Sequence, residues 1–207
     1  LERTYALSKL ESAMMPAIQV GLLVLVVTAP AFIFFSQKGP GAMHAPWLIS
    51  LAAGLVVGGL SQFSRLCTVG GFRDLFLFKK SILIFGYLAV LVGVFVVNIS
   101  FGNFHLGFEN QPVAHADGLW NFLGMALAGF CSVLLGGCPL RQLIMTGEGN
   151  SDSAVTVLGL AAGAAFAHNF GLAASGAGPT LNGQIAVGVG FVVALIIAIL
   201  NTKRANA

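Results

Sequence analysis

Charged side chains are scarce in this chain. Only 8% of its 207 residues are Asp, Glu, Lys or Arg, against roughly 25% in a typical soluble domain. Apolar residues make up 57%, and the mean hydropathy is +0.92. Soluble proteins cover their surface with charged side chains, and so few charges cannot coat a water-exposed surface. The composition therefore excludes a soluble domain and predicts a protein whose main solvent is the lipid bilayer.

Several kinds of site are also missing from the sequence. The ten Lys and Arg residues, which give a net charge of +3, are spread between hydrophobic runs, so a basic nucleic-acid-binding face is excluded. Cys67, Cys131 and Cys138 are too few and too unevenly spaced for a disulfide framework and are expected to be free thiols. We find no metal-ligand spacing, phosphate-binding loop, serine-nucleophile elbow or paired carboxylates. Neither a cofactor nor enzymatic turnover is expected.

The uncharged runs locate the membrane spans. A helix needs about 20 apolar residues to cross the hydrocarbon core, and five uncharged stretches reach that length. The last, Ser153–Thr202, is long enough to cross twice, and Gly176, Pro179, Asn182 and Gly183 are the turn formers within it. We therefore predict an all-α, polytopic integral membrane protein with six transmembrane helices near residues 15–36, 46–64, 80–101, 118–136, 153–174 and 183–201.

The positions of Lys and Arg predict the orientation. With the N-terminus in the cytoplasm, every Lys and Arg except Lys38 lies on the inner side. The opposite orientation would break the rule that cytoplasmic loops carry the excess of positive charge. Both termini are therefore expected in the cytoplasm, in a bacterial inner membrane.

An internal repeat connects two parts of the chain, residues 47–101 and 120–174, within a single transmembrane domain of residues 1–207. Each copy begins with a tryptophan, Trp47 or Trp120, and continues as a glycine-containing apolar helix. Each then reaches a cysteine, Cys67 or Cys138, with an arginine close by. At 1.5 Å per helical residue, both cysteines are expected near the cytoplasmic side.

A short segment of mixed polarity follows each cysteine. Phe72–Lys80 and Leu140–Asp152 are too polar to cross the membrane and too apolar for ordinary loops. We predict short broken or re-entrant helices, and the alternative is that they are plain cytoplasmic loops. Non-helical backbone at membrane depth is tolerated only where it is buried in protein or lines a wet cavity. The cysteine turns are therefore expected to line a cavity.

The two cysteine turns have the ingredients of anion sites. Cys138 precedes Pro139, and proline is favoured at the first position of a helix. The sulfur would lie at the positive end of the helix dipole, with Arg141 one turn on, a setting that stabilises a thiolate and attracts anions. Cys67, which follows Arg65, offers similar ingredients with looser geometry. The alternative is that each cysteine is simply a small buried hydrophobic residue.

Thiols flanked by arginines suit a soft anion that contains sulfur. Arginine attracts the charge, and the polarizable cysteine sulfur makes weak contacts that let the ligand leave. Cys131 lies two helical turns before Cys138, and Gln62 lies shortly before Cys67, so both are candidates for the same route. The candidate residues of a translocation path are Cys67, Cys138, Arg65, Arg73, Arg141, Cys131 and Gln62.

The sequence around these turns resembles a known family. SRLCTVGGFRD at residues 64–74 and GGCPLR at 136–141, followed by GEGN at 147–150, resemble the YeeE/YedE membrane family, and the resemblance covers residues 47–152. That family is associated with uptake of sulfur compounds, thiosulfate in particular, and one branch is associated with selenium. The resemblance implies that Cys67 and Cys138 contact the cargo along a central path, and it adds Glu148 to the candidates.

These observations lead to one main hypothesis and two alternatives. The main one is an inner-membrane permease for a small anion containing sulfur or selenium. The alternatives are a membrane thiol-disulfide oxidoreductase, which the absence of a Cys-x-x-Cys pair disfavours, and a structural membrane subunit. Because the chain resembles the C-terminal half of longer family members, the partners expected besides lipid are an N-terminal half or a second copy, and a cytoplasmic sulfur-carrier protein.

Overall fold

The computed structural model describes residues 9–28, 45–107 and 115–205, and these residues are almost entirely α-helical. No β-strand is found in these three ranges, which contain one isolated bridge between Ser175 and Gly178. The predicted all-α class is confirmed. The helices are α1 (Lys9–Thr28), α2 (Trp47–Ser64), α3 (Thr68–Phe78), α4 (Ile82–Ser100), α5 (Gly118–Leu134), α6 (Pro139–Gly147), α7 (Ser151–Asn169) and α8 (Leu181–Ala205).

Four helical stretches of the described chain are long and apolar enough to cross a membrane. They are Trp47–Phe78, Ile82–Ser100, Gly118–Gly147 and Leu181–Thr202. The chain is therefore a multi-pass membrane protein. In α1 the apolar part is shorter, Pro16–Leu25. The rest of the predicted first span, residues 29–36, lies outside the described residues.

Helix α7 is the weakest of the predicted spans. It has the length of a span, 19 residues, but it is not among the four apolar stretches. Ser151, Asp152 and Ser153 occupy its first turn, and His168 and Asn169 end it, while small residues fill most of its middle. The prediction relied on the absence of charge, and a helix rich in alanine and glycine can lack charge without being strongly apolar. That the chain crosses the membrane six times stays a prediction.

The interior of the described residues is small and polar, while the large apolar side chains lie outside. Half of the buried side chains are polar: Ser61, Ser132, Gln142, Thr146 and Ser153. Large apolar side chains such as Leu55, Ile82 and Phe76 are at least 70% exposed. This is the reverse of a soluble domain. It is the distribution that lipid requires, since lipid solvates apolar groups and leaves polar groups to find partners inside the protein.

The described residues form two compact units. One comprises residues 9–28, 45–66 and 140–157, and the other comprises residues 67–107, 115–139 and 158–205. In the second unit α3 packs on α4 and α5, and α5 packs on α8. The contact of α3 with α4 is close because Gly71 has no side chain, since a Cβ there would lie 3.3 Å from the backbone nitrogen of Ile84. The predicted single domain stays a prediction.

The two segments that follow the cysteines are short helices. Helix α3 has 11 residues and begins directly after Cys67. Helix α6 has 9 residues and begins directly after Cys138. The prediction of short helices is confirmed and the alternative of plain loops is wrong, although α3 begins at Thr68 rather than at Phe72. Their re-entry into the membrane stays a prediction.

The last two helices are joined by the predicted turn. Gly176 and Pro179 lie in the connection, as expected, but Asn182 and Gly183 lie inside the first turn of α8. Thr180 is the N-cap of that helix, because its Oγ1 accepts a hydrogen bond from the Gly183 N–H at 2.9 Å and donates to the carbonyl of Gly171 at 2.7 Å. The Asn182 amide donates to the carbonyl of Phe170. Polar side chains therefore hold the connection against the start of α8.

Substitution of Gly183 tests this turn. A Cβ at Gly183 would lie 2.5 Å from the carbonyl oxygen of Leu172, so Gly183→Ala must push backbone apart. Overpacking of this kind costs about 1–3 kcal/mol, and we expect a lower Tm in detergent, followed by circular dichroism. Gly188→Ala is the matched control in the same helix, since no heavy atom lies within 4 Å of its Cβ. Equal Tm values for the two variants would contradict the close approach.

Candidate functional site

The first cysteine turn begins where α2 ends. The N–H of Arg65 donates to the carbonyl of Gln62 at 3.3 Å, and the N–H of Leu66 donates to the carbonyl of Ser61 at 3.2 Å. This pair of bonds is the Schellman motif, which satisfies carbonyls that a helix end leaves without partners. Arg65 is left-handed, with φ of 51°. The chain is thereby turned sharply two residues before Cys67.

Cys67 caps the short helix that follows. Its backbone is extended, and its sulfur accepts a hydrogen bond from the N–H of Gly70 at 3.3 Å. The sulfur thus takes the place of the side-chain oxygen that Ser, Thr or Asp provides at a helix N-cap. Cys67 is 7% exposed. The geometry is better defined than the looser arrangement expected from the sequence.

Cys138 has the equivalent position before α6. It is 6% exposed, and it directly precedes Pro139, the first residue of that helix, as predicted. Both cysteines lie in the second compact unit. Each therefore stands at the N-terminus of a short helix, where the backbone N–H groups and the helix dipole favour negative charge.

The two turns share one pattern of backbone hydrogen bonds. At the end of α5, the N–H of Gly136 donates to Val133, and the N–H of Gly137 donates to Ser132, at 3.1 and 3.0 Å. In both turns the left-handed residue lies two positions before the cysteine. Of the two acceptor residues in each turn, the one that comes earlier in the sequence is a buried serine, Ser61 or Ser132. The turns are therefore structural equivalents, while the longer repeat over residues 47–101 and 120–174 stays a prediction.

Arg65 is one of two non-glycine residues with a left-handed backbone in the described ranges, and the other is Lys79 at the end of α3. Glycine holds the left-handed position at three other helix ends with the same pair of bonds, namely Gly102, Gly136 and Gly149. For a residue with a side chain, this conformation costs roughly 1–2 kcal/mol. At a helix C-terminus, the favourable interaction of the arginine charge with the helix dipole offsets part of this conformational cost. Glycine would be less strained at this position.

Arg73 lies on α3 beside its own counter-ion. Its guanidinium contacts the Asp74 carboxylate at 2.9 Å, and its side chain is 55% exposed. The positive charge expected near the first cysteine turn is therefore matched by a neighbouring negative charge. Its role in a path stays a prediction.

Three of the predicted residues come together in the first compact unit. The Arg141 guanidinium donates to Gln62 Oε1 at 3.5 Å and contacts Glu148 Oε1 at 3.7 Å. Gln62 belongs to α2, so residues remote in the sequence meet here. We refer to Gln62, Arg141 and Glu148 as the arginine cluster. The sequence suggested Gln62 only as a neighbour of Cys67.

Two polar residues of α6 escaped the sequence analysis. Gln142 and Thr146 are each only 3% exposed, and the Thr146 hydroxyl donates to the carbonyl of Gln142 at 2.8 Å. They lie four residues apart, so they share one face of the helix. That spacing of polar residues in a short helix was the signal that could have found them.

Cys131 lies in a different environment. It lines a cavity of about 880 Å³ in the second unit, whose walls are apolar side chains of α5, α7 and α8 such as Leu134, Phe166 and Ile185. Neither Cys67 nor Cys138 is part of that lining. The expected sharing of one route by Cys131 and Cys138 stays a prediction.

Comparison with known proteins identifies the family. A family model described as "Sulphur transport" matches residues 63–204. The chain belongs to this family, the YeeE/YedE sulfur transport family. The match begins at the first cysteine turn and extends well past residue 152, so it includes α7 and nearly all of α8. No curated protein and no solved structure matches the chain.

Relief of strain at Arg65 is testable in this sulfur transport family member. Arg65→Gly is expected to raise the free energy of unfolding by up to about 1 kcal/mol, because the left-handed conformation is released while glycine adds unfolded-state entropy. Thermal unfolding in detergent measures the change. The control is Ser64→Gly, which places glycine one residue earlier, at the last helical residue of α2, and should lower the stability. A Tm for Arg65→Gly below that of the parent protein would contradict the assignment.

Proposed function

We propose that this protein is an inner-membrane permease for a small sulfur- or selenium-containing anion such as thiosulfate, which Cys67 and Cys138 contact during passage. The observation that carries the proposal is the pair of buried cysteines, each directly before a short helix and after the same backbone turn. Membership of the sulfur transport family supports the class of cargo.

The chemistry of the two positions favours a soft anion. A helix N-terminus presents backbone N–H groups and attracts negative charge. At Cys67 the sulfur already receives the Gly70 N–H, so an anion near this sulfur is close to the positive end of α3. Sulfur is a weak acceptor and a weak donor, so contacts with a sulfur-bearing ligand are easily broken. Two such positions suit release as well as capture, whereas a hard oxyanion alone would need no cysteine.

The remaining candidates are proposed to attract and guide the anion. Arg65 and Arg141 lie two residues before Cys67 and three residues after Cys138, respectively, and Arg73 lies on α3. Their positive charges compensate for the removal of an anion from water. Gln62, Cys131 and Glu148 are proposed to lie along the path without adding positive charge.

Orientation and driving force follow from charge. We propose cytoplasmic termini, because this orientation puts almost all Lys and Arg on the inner side. With the inside negative, import of an anion costs about 2.3 kcal/mol per charge per 100 mV. Inward flux therefore needs consumption of the cargo in the cytoplasm, a coupling ion, or a partner that withdraws it. A cytoplasmic sulfur-carrier protein is the partner proposed on the inner side, and another polypeptide or a second copy would complete the path.

Uptake of labelled thiosulfate by cells that express the full chain tests the proposal. Cys67→Ser and Cys138→Ser are each expected to reduce uptake at least about tenfold, which corresponds to about 1.4 kcal/mol of lost stabilisation. Serine provides an N-cap oxygen where Cys67 provides sulfur, so the fold should survive.

Protein abundance in the membrane is measured alongside, so that loss of uptake is separated from loss of protein. Cys131→Ser is expected to lower uptake less than either, because its sulfur lines the apolar cavity. Unchanged uptake in both Cys67→Ser and Cys138→Ser would contradict the proposal.

A further inference from the structure

We propose that Glu148 is an internal competitor of the transported anion: it neutralises Arg141 in the absence of cargo, and an incoming oxyanion takes its place. This inference rests on the proposed function, because the anion is the cargo of the permease. It assigns to the arginine cluster the role of setting the affinity for the anion, and to Glu148 the role of lowering that affinity by competition for Arg141.

The contacts of Arg141 are loose for charged partners. Charge-assisted hydrogen bonds of arginine to a carboxylate are typically 2.7–2.9 Å long and are often bidentate. Within the described residues, the Arg141 guanidinium contacts a single oxygen of Glu148 at 3.7 Å. The contact with Gln62 Oε1 is also long, 3.5 Å. Both contacts involve the same guanidinium nitrogen, Nη1, whereas a ligand that offers two oxygens can accept from two nitrogens of the planar fork.

The two charged side chains differ in exposure. The Arg141 side chain is 20% exposed and that of Glu148 is 37% exposed. Glu148 is therefore less confined than Arg141, which is held more closely by the surrounding protein. Exposed ion pairs contribute little, because water and salt screen them. The pair is weak enough for a small anion to break, yet it prevents Arg141 from being an unpaired charge.

The dipole of α6 favours the exchange. Arg141 lies in the first turn of α6, and Glu148 follows Gly147, the last residue of that helix. A negative charge is stabilised at the N-terminus of a helix and destabilised at its C-terminus. Replacement of Glu148 by an anion bound to Arg141 therefore transfers the negative partner toward the favourable end.

Gln62 can remain bound to Arg141 while the anion replaces Glu148. Its Oε1 accepts from Arg141, so it holds the guanidinium when Glu148 departs. The amide group also carries two N–H donors, which suit the oxygens of a bound oxyanion. Gln62 is therefore placed to contact the anion and Arg141 together, whereas the acidic Glu148 repels the same anion.

Binding to the purified full-length protein in lipid nanodiscs tests the inference. Isothermal titration with thiosulfate, and separately with sulfate, is carried out on the parent protein and on Glu148→Gln. Loss of the competing carboxylate is expected to lower the Kd for both anions by about two- to fivefold, in keeping with a partly screened ion pair. Glu148→Ala is a second variant and should change the Kd in the same direction.

Two further variants separate competition from a general change in charge. Asp152→Asn removes one negative charge four residues from Glu148, on an exposed residue of α7, and should leave the Kd unchanged. In an Arg141→Gln background, Glu148→Gln should have no effect on the Kd, because the two residues act as a pair.

The outcomes distinguish the inference from the proposed function. Tighter binding in both Glu148 variants, with no effect of Asp152→Asn, supports the inference. An unchanged or higher Kd in the Glu148 variants, an equal effect of Asp152→Asn, or absence of anion binding in all variants overturns it. If binding behaves as expected but cells that express the parent protein take up no more thiosulfate than cells that lack it, the proposed function fails while the competition by Glu148 for the bound anion stands.

Discussion

Satisfaction of the backbone hydrogen bonds at the two cysteine turns is the constraint on which the structure depends. In a chain surrounded by lipid, a break in a helix exposes N–H and C=O groups that only the protein can satisfy. At the first turn, Arg65 and Leu66 bond back into α2, and the sulfur of Cys67 accepts from Gly70. Backbone groups at the end of α2 and at the start of α3 are thereby hydrogen-bonded. A helix N-terminus with a sulfur atom at its start is the direct product of this arrangement.

The distribution of polarity bears on the proposed passage of an anion. Large apolar side chains face outward in the described residues, and small or polar side chains occupy the interior. An anion that crosses such a protein must be compensated by internal groups, because lipid offers none. Helix N-termini, cysteine sulfur and the arginine cluster are the internal groups suited to this task. The loose ion pair of Arg141 with Glu148 fits a site whose affinity must allow release as well as binding.

Much of the fold could be predicted because hydrophobicity and turn residues act locally. Uncharged runs located the long helices, and the Cys138-Pro139 pair predicted the start of α6. Three features escaped, two of them because they depend on the degree of hydrophobicity or on a contact between residues distant in the sequence. Helix α7 lacks charge but is rich in alanine and glycine, so an uncharged run overstated its apolar character. The contact of Gln62 with Arg141 joins helices that are remote in the sequence, and no local pattern reports such a contact. The left-handed Arg65 also escaped, since its conformation follows from the Schellman bonds and not from residue type.

Reactivity of the three cysteines toward an anionic and a neutral reagent is the most direct test of the central claim. The full-length protein in lipid nanodiscs is treated with iodoacetate or with iodoacetamide, and labelling of each cysteine is followed by mass spectrometry. The ratio of the two rates reports how well an anion reaches each sulfur, independently of its thiolate fraction. The account predicts a higher ratio at Cys67 and Cys138, which precede helix N-termini, than at Cys131, which lines the apolar cavity. An equal or lower ratio at Cys67 and Cys138, or failure of iodoacetate to label them, would contradict it.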